Sequence, residues 1–150
     1  GMARYSLIIE EAFLLSVCHE LGHLLGGAPY KGGSEDTSLE GQADYFATKD
    51  CIADVLSGIV PYKNTKADDE VKAECALRPN FEICERTLEG ALSLTSYYAE
   101  LEKVSSPKIS TPSANVVNKT LDVHPPAQCR LDTFLSGYRN NERPKCWYKN

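Results

Sequence analysis

The amino-acid sequence predicts a mainly α-helical domain with a small β component, and three observations carry that expectation. Apolar residues recur at helical spacing over several windows, most densely over residues 10–25 and 84–103. Glycine and proline cluster between those windows, where they would end helices. Strand-like sequence is limited to residues 4–9 (RYSLII), which also read as a lead-in to the first helix, and to a short extended piece over 115–121. With 150 residues and 42% hydrophobic content, the chain suits a single domain over 1–150 with one modest core.

The first helix is expected over 10–25. Ala12, Phe13, Leu14, Leu15, Val17, Cys18, Leu21, Leu24 and Leu25 leave it apolar on nearly all sides, so it reads as a core helix. Glu10 and Glu11 suit the positive end of its dipole, and Gly26–Gly27 would end it. Residues 28–38 form a polar, Gly/Pro-containing loop. Thr37 or Ser38 would cap a second helix over 39–56, stopped by Ser57, Gly58 and Pro61. Residues 62–69 read as polar and exposed. A short helix over 67–77 ends before Pro79, and a longer one follows over 84–103. Residues 105–126, with four prolines and several Ser, Thr and Asn, form the longest stretch without helical character, and so long a stretch is mobile or functional. A last helix over 127–136 would end at Gly137, and the tail with Cys146, Trp147 and Tyr148 would pack back on the body.

The net charge of −5 and the absence of a basic block argue against a nucleic-acid partner. No run approaches 18 uninterrupted apolar residues, so no transmembrane segment is expected. None of the six cysteines stands in a CxxC pair, and their spacing fits no four-thiolate metal site. Their even number and wide spread favour disulfides in an oxidising compartment over buried free thiols, hence a periplasmic or secreted protein. Cys75–Cys84 and Cys129–Cys146 read as local clips, which would leave Cys18 with Cys51, although spacing alone does not fix connectivity. No leader peptide is legible at the start, and an exported chain is expected to have lost its leader.

His19-Glu20-Leu21-Gly22-His23 carries the chemistry. On a helix, residues four apart lie one turn above each other, so both imidazoles reach one Zn²⁺. Glu20 flanks the ion without ligating it, and there it can take a proton from a water that the ion activates. A catalytic zinc needs a third protein ligand and one open position. Pro29, six residues after His23, offers no donor. His124 lies in the proline-rich stretch and could approach from across a cleft. Glu40, at the start of the second helix in Glu40-Gly41-Gln42-Ala43-Asp44, is the favoured ligand. Asp44, one turn along, would accept a hydrogen bond from the far nitrogen of a ligand histidine, most naturally His19. Read alone, Glu40 and Asp44 are ordinary acids at a helix start.

HELGHLLGG and EGQAD resemble the gluzincins, whose zinc is held by an HExxH helix and a glutamate on a following helix. The closer likeness is to the M48 family, whose second motif, ExxxD with an alanine before the aspartate, matches Glu40, Ala43 and Asp44. His124-Pro125-Pro126 with Arg130 looks like that family's HPP…R segment. The resemblance implies a compact zincin-like metallopeptidase domain with zinc on His19, His23 and Glu40. It places His124 and Arg130 at the cleft, steadying the substrate carbonyl or the tetrahedral oxyanion. The gap from His23 to Glu40 is short for this pattern, and the transmembrane helices of many members are missing. Residues 4–9 are the one stretch that could form the edge strand expected to hold an extended substrate.

The expected activity is therefore zinc-dependent endopeptidase action on peptide or protein substrates. The alternative is a binding or scaffolding module of the cell envelope that keeps the zinc but cleaves poorly. An intact Glu20 speaks against it, since a structural zinc needs no base. A third reading, a disulfide-stapled helical domain without metal, predicts no tightly held zinc.

Overall fold

The computed structural model describes residues 6, 8–33, 35–59 and 67–150. Residues 4, 5 and 7 of the strand expected over 4–9 and residues 62–66 of the polar stretch 62–69 lie outside these. The described chain is mainly helical: α1 Glu10–Leu25, α2 Glu40–Phe46, a π-helical stretch Ala47–Cys51, α3 Ile52–Ser57, α4 Asp69–Cys75, α5 Phe81–Glu102 and α6 Ala127–Arg139. The β component reduces, among the described residues, to one antiparallel bridge between Tyr30 and Ser38.

The core is built where α5 packs against α1 on one side and α6 on the other. Ala12, Leu15 and Cys18 of α1 bury against Leu88, Ala91 and Leu94 of α5 and Leu131 and Phe134 of α6. One buried ion pair crosses this layer: Arg86 Nε donates to Glu11 Oε1 at 3.1 Å. Glu11 lies in the first turn of α1 as expected and is also a buried anchor between α1 and α5. Gly90 makes room for it, because a Cβ there would stand 3.0 Å from Glu11 backbone and side-chain atoms.

Helix α1 is not a core helix on all sides. Phe13, Val17, Leu21, Leu24 and Leu25 are exposed, while Ala12, Leu15, Cys18, His19 and Gly22 are buried. Composition alone shows that the helix is apolar, but not that only one face is covered. The expected caps of α2 also differ. Leu39 occupies the cap position without a side-chain bond, and Ser38 Oγ donates to Gly27 O at 2.6 Å instead. Gly137 does not end α6. It lies within the helix because a Cβ there would come within 2.4 Å of Tyr45 O and Thr48 Oγ1, and Asn140 in the left-handed conformation provides the stop.

All six cysteines pair as Cys18–Cys51, Cys75–Cys84 and Cys129–Cys146. No helix among the described residues is long and apolar enough to cross a membrane. Both features are compatible with an exported protein. The tail packs back as expected. Trp147 is fully buried, and Val117 N and Leu121 N donate to Lys145 O and Trp147 O, each at 2.9 Å. The extended piece at 115–121 thus pairs with the tail by these two backbone bonds and by Lys149 N donating to Thr120 Oγ1 at 3.1 Å, without forming a strand. The rest of 105–126 is irregular but fastened: the Glu70 carboxylate accepts from Ile109 N at 2.8 Å, and Ser113 N donates to Asp132 at 2.7 Å.

Candidate metal centre

Two close approaches bring the motif residues together. Helices α1 and α2 touch backbone to backbone, since a Cβ on Gly22 would lie 2.8 Å from Ala43 Cα and O. The small residues inside HELGH and EGQAD therefore set the interhelical distance that lets Glu40 reach both histidines. The short link between the helices is a tight, hydrogen-bonded turn. Ser38 N donates to His23 O, Lys31 N to Thr37 O and Leu39 N to Pro29 O, at 2.7–2.9 Å. Gly32 and Gly33, at φ 59° and 76°, take the left-handed backbone this turn requires. On the far side, Gly41 lies flat against the Trp147 ring, where a Cβ would approach to 2.3 Å.

The result is a cluster of His19, His23 and Glu40 whose ligand atoms all lie within 4.8 Å of one another. His19 Nε2 and His23 Nε2 stand 3.4 and 3.6 Å from Glu40 Oε2. Donors bound at ~2.0–2.1 Å to a tetrahedral ion are separated by roughly 3.3–3.4 Å, so this spacing suits one. Glu40 Oε2 is buried and has no hydrogen-bond partner. A buried carboxylate oxygen needs a cation near it, which the His19, His23 and His124 nitrogens around it at 3.2–3.6 Å supply when protonated and a metal ion could supply in their place. The cluster can therefore hold a metal ion. Lys31, which sequence reasoning passed over, places Nζ 3.6 Å from the other oxygen, Glu40 Oε1, leaving Oε2 to face the histidines.

Each histidine is oriented from behind. His19 Nδ1 donates to Asp44 Oδ1 at 2.7 Å, as expected of Asp44, and His23 Nδ1 donates to Ser38 O at 2.8 Å. Asp44 is fully buried and receives a two-pronged grip from Arg130: Nε to Oδ2 and Nη2 to Oδ1, both 2.7 Å. Such forked pairs are among the strongest charge-assisted hydrogen bonds. Burial works against both carboxylates, but the partners win. Arg130 and His19 hold Asp44 down at about 2, and the surrounding histidines do the same for Glu40. Burial likewise opposes the charged His19 ring, yet Asp44 raises it to about 9. A metal must therefore displace a proton from His19 Nε2.

Glu20 is exposed on the next position of α1. It opens into a cleft of about 440 Å³ that also takes in His19, Tyr98, Leu101, His124 and Arg130. The His124 side chain is 69% exposed, and its Nε2 lies 3.2 Å from Glu40 Oε2. All the residues singled out in the sequence thus meet at one place, in two roles. Glu20 and His124 face the open cleft, whereas Arg130 lies buried behind Asp44. Tyr98 adds a contact no motif announces: the Arg130 guanidinium stacks 4.1 Å over its ring. Burial pushes the Tyr98 hydroxyl up to about 12, so it stays protonated. No family model, curated protein or solved structure matches this chain.

Proposed function

We propose that the protein is a zinc-dependent endopeptidase that hydrolyses peptide bonds in protein or peptide substrates, acting in a periplasm or outside a cell. The observation that supports this most is the buried Glu40 Oε2 converging with the His19 and His23 imidazole nitrogens, with the carboxylate of Glu20 in the adjoining cleft. The likeness of HELGH and EGQAD to the gluzincin pattern, and to its M48 branch, points the same way. Two imidazoles and one carboxylate form a donor set that zinc accepts while keeping a position open. His19, His23 and Glu40 would hold the ion, in a zincin-like arrangement of α1 and α2.

Zinc bound there supplies Lewis acidity, which polarises the scissile carbonyl and eases deprotonation of water. Glu20 takes the proton as the water oxygen attacks the carbonyl carbon. It then hands that proton to the amide nitrogen as the C–N bond breaks. His124, on the open rim, is the donor placed to meet the negative charge that develops on the carbonyl oxygen. The guanidinium of Arg130 is committed to Asp44. Its part is to hold Asp44, and through it His19, rather than to touch substrate.

Glu20→Gln tests this reading. Zinc-loaded protein is expected to cut casein into fragments detectable by mass spectrometry. The variant should lose about 10²–10⁴-fold in rate with its zinc content and melting temperature unchanged. Equal cleavage by both proteins would refute the role of Glu20. A zinc-loaded wild type that cuts nothing would leave the binding-module alternative.

A further inference from the structure

Resting on the metal centre but not on peptidase activity, we infer that the tail after α6 is a clamp that positions Glu40, and that its closure by the Cys129–Cys146 disulfide makes metal binding depend on oxidation of that pair. Glu40 opens a helix of seven residues that has no side-chain bond at its cap. So short a helix is marginal by itself, and the place of Glu40 is therefore set by what packs on α2. The tail supplies three contacts to the residues that follow Glu40. The Trp147 ring lies against Gly41, Arg143 Nε donates to Gln42 Oε1 at 2.5 Å, and Tyr45 Oη donates to Asn141 O at 2.6 Å. Gln42 passes the hold on, since its Nε2 donates to Gly26 O at 2.7 Å, and Arg143 Nη2 donates to Ala28 O at 3.2 Å. Arg143 thus ties α2 to the end of α1 and to the turn between them, the elements that carry His23 and Glu40. It is a positioning residue.

The clamp has a very small core of its own. Cys129, Cys146 and Trp147 form a buried cluster apart from the main one, and two of the three are the disulfide itself. Trp147 Nε1 is buried without a hydrogen-bond partner, so the ring is held in place by its packing. A unit with so little apolar surface to bury depends on its cross-link. At its other end the same disulfide adjoins Arg130, whose grip on Asp44 orients His19. One bond therefore joins the supports of two ligands. Forming it removes two electrons and two protons from the thiol pair. A small disulfide such as oxidised glutathione accepts them by thiol–disulfide exchange and leaves as two thiols. In a reducing compartment the tail is unlatched and Glu40 is loosely placed, whereas in an oxidising one the ligand set is complete.

The test measures zinc affinity by competition with a chromophoric chelator, on protein shown to be folded by near-UV circular dichroism. The double variant Cys129→Ser/Cys146→Ser stands in for the reduced pair without offering thiolates to the metal. Its zinc affinity should fall by about tenfold or more, the size of effect seen when residues that orient a metal's ligands are removed. Cys75→Ser/Cys84→Ser is the control, since that disulfide joins α4 to α5, which carry no ligand. It should lose stability and keep its zinc affinity within about threefold, where only a smaller folded fraction lowers binding. Arg143→Ala, with every disulfide intact, should also lose about tenfold in zinc affinity. This variant decides the matter if the serine pair does not fold. Unchanged affinity in the folded serine pair or in Arg143→Ala, or an equal loss in the control, overturns the inference and leaves the metal centre standing. A wild type that binds no zinc overturns both. The expected losses in a protein that cuts no peptide support the clamp and overturn the peptidase reading alone.

Discussion

The inner and outer halves of the site are built on opposite principles. Behind the histidines, Asp44 and Arg130 are buried, and the Asp44 carboxylate accepts three hydrogen bonds through its two oxygens. Two disulfides reinforce this layer, because Cys18 immediately precedes His19 and Cys129 immediately precedes Arg130. In front, Glu20, His124 and Leu101 are exposed on the rim of a cleft. The half that carries the candidate ligands is thus fixed by burial and paired charge, while the half proposed to meet substrate is left to water. Substitutions behind the metal should show in stability, and substitutions in front should show in activity.

The sharpest test of that contrast is Asp44→Ala. It strands the Arg130 guanidinium in the interior, and breaking a buried pair costs about 3–5 kcal/mol, so the urea midpoint should fall steeply. Glu20→Gln on the rim should stay within ~0.5 kcal/mol of wild type. Equal losses would erase the distinction. Next in size is Gly41→Ala. The added methyl meets the Trp147 ring, which is fully buried and cannot retreat. Overpacking of this kind costs about 1–3 kcal/mol, and it should displace the neighbouring Glu40, lowering zinc affinity along with the melting temperature. A stable variant with unaltered zinc binding would show that the close approach of α2 to the tail is unimportant.

A smaller effect concerns protons. In the metal-free protein, His19 is held at about 9, above its ordinary 6.5. That interaction stabilises the metal-free fold fully below about 6.5 and is lost as pH rises through about 9. Zinc must displace the same proton, so its affinity should climb up to about tenfold per pH unit over this window. Calorimetry in buffers of different ionisation enthalpy should register proton release on zinc binding near pH 7. Binding without proton release would contradict the His19–Asp44 arrangement.

These regions also differ in how far the sequence announces them. Helix α1 was legible to the residue, because apolar spacing and Gly26–Gly27 bound it. The meeting of His19, His23, Glu40 and Asp44 was legible from the motifs, whereas spacing suggested the three disulfide pairs without fixing them. The longer helices were found with ends displaced: α5 begins at Phe81, before the expected 84, and α6 runs through Gly137 to Arg139. Gly137 misled because a glycine needed for close packing looks the same in sequence as one that ends a helix. The Glu11–Arg86 pair and the grip of Arg130 on Asp44 join residues 75 and 86 positions apart, where no local pattern signals a partner. Lys31 escaped notice for the same reason, since the folded turn alone brings it to Glu40. The open face of α1 was missed because composition reports how apolar a helix is, not what covers it.

The most direct test of the central claim is zinc content, measured by inductively coupled plasma mass spectrometry on protein purified without added metal, beside Glu40→Ala. The geometry predicts one zinc per chain in the wild type and a marked loss in the variant. No zinc in the wild type after dialysis against zinc, or equal zinc in both proteins, would contradict a site held by His19, His23 and Glu40.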